Sequence, residues 1–304
     1  MKIISIGLWA GVLAPGAAFA CACGCGVFDV GSSSMFPTGE GGMAFLNYDF
    51  QDQNQNWSDS SKAPADNNDD KEIRTHFVTL GVQYMFNRSW GVQAELPFAN
   101  RYFKTVDDDG GLVSRQWNAF GDIRIEGIYT GFAADLSSGL TFGLRLPTGS
   151  HNRDADVVDR DTQIGSGSMD ILLDGFHRGN LTADGKWDWF AQAKLDLPVL
   201  TQGDYRPGFE ADAAAGIDYK GISFGRLRIS PLAQVIVSER MHDYGAAASS
   251  DNSGYTRLLL SPGIEFHFHP VKVYADVELP VFQHITGNQV VAPALFKLNV
   301  SYMF

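Results

Sequence analysis

Three cysteines, Cys21, Cys23 and Cys25, stand within five positions, and no thiol follows them in a chain of 304 residues. Separated by Ala22 and Gly24, they suit three kinds of chemistry. Thiolates on a flexible strand can capture a soft ion such as Cu(I) or, with one more ligand, Zn²⁺. A disulfide between Cys21 and Cys25 can close across Gly24, leaving Cys23 as a free thiol or for intermolecular pairing. Lipidation of Cys21 normally needs leucine three residues before it, where this chain has Ala18 followed by Phe19. His269, in the turn "HFHPVK", is the further ligand that the topology places on the same side. No cofactor is expected, unless the cysteine cluster takes up Cu or Zn.

Other constellations offer less. Outer-membrane phospholipases and deacylases resemble one another in a His-x-Ser pair, and none of the histidines at 76, 151, 177, 242, 267, 269 and 284 has a serine two positions later. Asp243 beside His242 points away from it on an extended chain. Asp154, Asp156, Asp159 and Asp161 have spacing for Ca²⁺ but lack the glycine turn and closing glutamate of an EF-hand. They read as a solvated run that meets divalent cations at a membrane surface. The chain therefore reads as a non-enzyme. Its net charge of −12, or −13 once Lys2 is removed with the leader, excludes a nucleic-acid footprint.

The ends of the chain set the compartment. "MKIISIGLWAGVLAPGAAFA" combines Lys2, an apolar run and Ala18-Phe19-Ala20, the pattern of a cleaved signal peptide over 1–20. Gly7, Gly11, Pro15 and Gly16 break the run as a membrane helix. Residues 21–41 then form a periplasmic cysteine-rich tail, and 42–304 a transmembrane domain. The last strand, "FKLNVSYMF", alternates Phe296, Leu298, Val300, Tyr302 and Phe304 with polar residues. Its terminal aromatic resembles the assembly signal of bacterial outer-membrane barrels.

Between the ends the same period of two recurs about twelve times, at 42–52, 73–86, 90–104, 117–130, 138–148, 167–178, 187–198, 208–219, 225–238, 255–268, 271–283 and 294–304. This predicts an all-β fold, an antiparallel transmembrane β-barrel of about twelve strands in the bacterial outer membrane. Short links follow even strands and longer ones mostly follow odd strands, which puts both termini at the periplasmic rim. Pro97, Pro147, Pro198 and Pro280 mark the tops of four up-going strands. Pro231 and Pro262 fall inside strands and predict bulges. With apolar faces turned to lipid, the lumen is lined by Arg124, Glu126, Arg145, Lys194, Asp196, Glu210, Asp212, Glu265, Lys272 and Glu278, among others. Thirteen acidic residues against seven basic ones on that face predict a cation-preferring lumen.

Three stretches, "GDIRIEGIYTGF" (121–132), "LTFGLRLPTGS" (140–150) and "IGSGSMDILLDG" (164–175), together resemble the outer-membrane family connected with the meta-pathway of phenol degradation. The resemblance implies a barrel that passes small, often aromatic, compounds, and carries over no functional residue. The combined expectation is a passive outer-membrane channel for small solutes, in contact with lipid and lipopolysaccharide. The alternative is a metal-binding barrel that anchors the cysteine tail; a third role, pairing with a periplasmic or surface partner, stays open.

Overall fold

A strand that alternates apolar and polar side chains needs an apolar phase on one side and a polar one on the other. The computed structural model, which describes residues 26–31 and 35–304, meets this need by closing one sheet on itself. Its strands are β1 (Gly41–Gln53), β2 (Gln55–Asp59), β3 (Ser61–Lys62), β4 (Asp70–Met85), β5 (Trp90–Val106), β6 (Leu112–Phe120), β7 (Ile123–Tyr129) and β8 (Ser138–Leu146). They continue as β9 (Ser168–Asn180), β10 (Trp187–Thr201), β11 (Glu210–Tyr219), β12 (Ile222–Phe224), β13 (Leu227–Arg240), β14 (Tyr255–Phe268), β15 (Val271–Val291) and β16 (Leu295–Met303).

Twelve staves make the wall. Each pairs antiparallel with its sequence neighbours, and β16 closes the ring on β1 from Met43–Met303 to Gln51–Leu295. One stave is split: β6 and β7 both pair with β5, above and below a break at Gly121-Asp122. The barrel is inside out relative to a water-soluble core. Leu80 is 55% exposed and Ile125 51%, whereas Lys297 is 3% and Glu278 0% exposed. An apolar outer belt of this kind belongs in a bilayer, where closure satisfies every backbone group without an edge.

The short turns, such as residues 86–89 and His269-Pro270, share one rim with the start of β1 and with Phe304. Long segments, 147–167 and 241–254 among them, crowd the other rim. In outer-membrane barrels the short turns face the periplasm. The longer rim is therefore extracellular.

Three departures from the sequence expectation have physical causes. The loop expected between the first two staves contains the β2–β3 hairpin, and β2 pairs with β15, which runs beyond 283 to Val291. These segments lack alternation because they stand above the bilayer, with no lipid phase to face. The bulges expected at Pro231 and Pro262 are absent, since β13 and β14 pair through both without a register shift. Pro231 lies just past the last β11–β13 pair, Asp218–Leu232, and the β14–β15 pairing skips Ser261 and Pro262. Each missing N–H therefore falls where a ladder is already absent. Finally, the strands continue past Pro97, Pro198 and Pro280. Pro97 faces the β6–β7 break, while Pro198 and Pro280 lie at register shifts in β10 and β15.

Candidate functional site: a divided lumen

The polar interior is not an open tube. Residues 28–31 and 35–37, part of the stretch expected in the periplasm, lie inside the barrel. Phe36 is buried and stacks on Phe176, with ring centroids 4.3 Å apart, and meets Phe190 edge-on. Arg178 donates to the Pro37 carbonyl at 2.9 Å. Further up the lumen, Lys297 donates to the Val30 carbonyl at 2.8 Å, Tyr274 to the Gly31 carbonyl at 3.3 Å, and the Gly31 N–H to Gln192 at 3.0 Å. Gly31 has φ +82°, and a Cβ there would lie 2.6 Å from the Gln234 amide, so glycine passes this point without the backbone strain any other residue would carry.

Asp29 lies where the inner segment divides the lumen. Its carboxylate bridges Arg124 on β7 (2.6 Å) and Lys194 on β10 (3.1 Å), three staves apart in the wall. Burial works to raise this carboxyl, but the two cations more than offset it and hold it well below the usual carboxylate range. Two cavities meet at this contact, sharing Phe28, Asp29, Asp49, Thr79 and Arg124 in their linings. One, of about 190 Å³, lies toward the long loops, and one of about 110 Å³ toward the short turns. Each is large enough to hold water.

The three stretches that carried the family resemblance meet at one place. Asp122, at the β6–β7 break, accepts the Gly149 N–H at 2.8 Å with one oxygen. With the other it accepts the Ser166 N–H at 2.7 Å and the Ser166 hydroxyl at 2.6 Å. The Thr148 hydroxyl accepts from the Ile123 N–H at 3.0 Å. Gly149 and Gly165 cross so closely that a Cβ on Gly165 would lie 2.4 Å from the Gly149 carbonyl carbon. The result is a clasp at the root of segment 147–167. From it the segment turns into the extracellular mouth, where Val158 packs with Ile73, Phe103, Trp117 and Val290.

No family model matches the chain, and no curated protein matches it. Among solved structures, an outer-membrane channel from Pseudomonas putida F1 is similar, with a TM-score of 0.67 at 12% identity, covering 90% of this chain and 100% of that one. The beta domain of the Bordetella autotransporter BrkA is also similar, with a TM-score of 0.54 at 14% identity, covering 87% of this chain and 100% of that one. The fold is that of an outer-membrane β-barrel. At these identities the likeness speaks to the fold.

Of the residues expected in the lumen, Arg124, Arg145, Asp196 and Glu210 border the loop-side cavity, and Arg124, Glu126 and Lys194 the turn-side cavity. Arg145 pairs with Asp170 and, at 2.8 Å, with Asp196. Asp212, Lys272 and Glu278 are buried in the wall and line neither cavity; Glu278 pairs with Lys297 at 3.6 Å, behind the Val30 contact. Glu265 is half-buried near the turn rim. His269 is exposed in its turn, and Cys21, Cys23 and Cys25 lie outside the described residues. Among the described residues, no three His, Cys, Asp or Glu side chains gather as a metal site.

Two residues central to the lumen were missed. Arg101 donates to Thr75 at 2.9 Å and to the Thr162 carbonyl at 2.6 Å, tying segment 147–167 to β5. Continuing the β5 alternation by three residues places it inward, so its signal was present. Asp29 stands in a stretch with no alternation and had none.

Proposed function

We propose that this chain is an outer-membrane channel through which small solutes pass passively, with a preference for cations. The observation that carries the reading is the pair of cavities meeting at one charged contact, Asp29 with Arg124 and Lys194, inside a closed barrel. Charge is costly to bury dry, so a lining this polar suits a watered passage better than a sealed anchor.

The balance of the linings supports the cation preference. Asp29, Asp49, Glu95, Glu126 and Asp174 border the turn-side cavity against Arg124 and Lys194, five carboxylates to two bases. Setting aside Asp161 and Arg160 on segment 147–167, Asp29, Asp49, Asp122, Asp196 and Glu210 border the loop-side cavity against Arg101, Arg124, Arg145 and Arg240, five to four. Aromatic solutes, which the family resemblance implies, find Phe28, Phe77 and Tyr205 in the loop-side cavity. Arg160 lies over Tyr205 at 4.6 Å and Arg101 over Phe77 at 5.8 Å.

The test is the reversal potential of the purified protein in a planar bilayer under a KCl gradient. A cation-signed potential is expected. It should shrink as salt rises, because screening acts over about 10 Å at 0.1 M. An anion preference overturns the selectivity, and absence of current overturns the channel.

A further inference from the structure

Segment 147–167 is built as a lid rather than a free loop. The Asp122 clasp fixes both of its ends, and its middle closes over the loop-side cavity, to which it contributes Arg160, Asp161, Gln163 and Ile164. Val158 is 2% exposed in the apolar cluster beneath the mouth. Folding inward also buries both carboxylate oxygens of Asp161 and half-buries Asp159 beside it. The groups facing them are Asp69 and Asp70 just before and at the start of β4, Tyr205 before β11, Arg240 and Asp243 at the end of β13 and just beyond it, and Arg160 between them.

The nearby cations all have work elsewhere. Arg240 pairs with Asp243 at 2.6 Å, Arg160 donates to the Ser166 carbonyl and covers Tyr205, and Arg101 holds Thr75 and Thr162. Neither oxygen of Asp161 has a partner on another residue, and one oxygen of the buried Asp70 also has none. Four carboxylates are thus gathered where full ionisation opposes the closed position.

Resting on the channel reading, we propose that segment 147–167 is a proton-latched gate at the extracellular mouth: it is closed while Asp159 and Asp161 hold protons, and lifts when they ionise. The direction follows from linkage. Burial, then Asp69, pushes the Asp159 carboxyl up to about 7 in the closed position. Burial, then Asp159 and Asp243, raises that of Asp161 as well. In a lifted segment both return toward the usual Asp value of about 3.9. Closure is therefore fully favoured below about pH 4 and loses ground until about pH 7, roughly tenfold per pH unit for one carboxyl.

Single-channel recording of the whole barrel from pH 4 to pH 8, in chelator so that no divalent cation replaces the protons, tests this. The wild type should show open occupancy that climbs steeply with pH and levels off above about pH 7. Asp159→Asn with Asp161→Asn should stay closed at pH 8, and deletion of 151–163 should be open at every pH. Heat-modifiable migration checks that each variant is folded. Current that is the same at all pH values in the wild type overturns the gate and leaves the channel standing. A double variant that keeps the wild-type pH response also overturns the gate. No current at any pH, even from the deletion variant, overturns the channel reading and the gate with it.

Discussion

Asp29→Asn removes one charge where the two cavities meet while keeping the side chain's shape. Breaking a buried ion pair by removing one partner costs about 3–5 kcal/mol, because a charge stays buried without compensation. Solvent screens this contact little, since the Asp29, Arg124 and Lys194 side chains are only 15%, 15% and 8% exposed. The loss falls unevenly. Arg124 keeps Glu95 at 3.6 Å, whereas Asp29 is the only ion-pair partner of Lys194 among the described residues. The penalty should therefore sit near the lower end of the range. Against it stand the hydrogen bonds at Val30 and Gly31, worth about 1 kcal/mol each, and the burial of Phe36, worth about 1.5–3 kcal/mol.

The lost tie is comparable to those that remain, so the inner segment should leave this position for a large fraction of the time without being expelled. Single-channel conductance should rise. The reversal potential should move toward zero, because the carboxylate excess falls from three to two in the turn-side lining and from one to none in the loop-side lining. Adding Phe36→Ala should raise conductance further. A folded Asp29→Asn barrel with unchanged conductance and reversal potential would refute this reasoning.

Asp122→Ala leaves the Gly149 and Ser166 N–H groups without their acceptor, at about 1–3 kcal/mol for each donor that stays buried. On intact cells, trypsin should then cut at Arg153 or Arg160 faster than in wild type; equal protection would rule out the clasp. Phe304→Ala should lower the yield of folded barrel in the outer membrane, read by heat-modifiable migration, although Phe304 exchanges backbone bonds with Gly42 that the substitution keeps. If the thiols bind metal, mature protein prepared under reducing conditions should carry about one Cu(I) or Zn²⁺ and lose it when Cys21, Cys23 and Cys25 become serine. Intact mass would show at the same time whether Cys21 carries lipid, and metal-free protein would exclude the capture role.

How far the sequence could be read follows the physics of each region. Where a strand crosses lipid, its neighbours outside and inside differ in polarity, and period two is imposed on every residue; this is why Leu140, Phe142 and Leu144 announced β8 and Arg145 announced the lumen. Above the bilayer both faces of the sheet meet polar surroundings, the constraint disappears, and the end of β15 and the β2–β3 hairpin became invisible. The lumen itself is a third regime. Contacts such as Asp29 with Arg124 and Lys194 join residues 95 and 165 positions apart, set by three-dimensional complementarity and by no local pattern. The motifs "GD", "PTGS" and "IGSGS" show the same limit from the other side. Their glycines and prolines read as punctuation one strand at a time, yet their role appears only where three strand ends meet on Asp122. A barrel's wall is written locally because lipid tests each residue separately. What narrows or closes its lumen is written in pairs, and Asp29 with Lys194 is the pair on which this channel reading most depends.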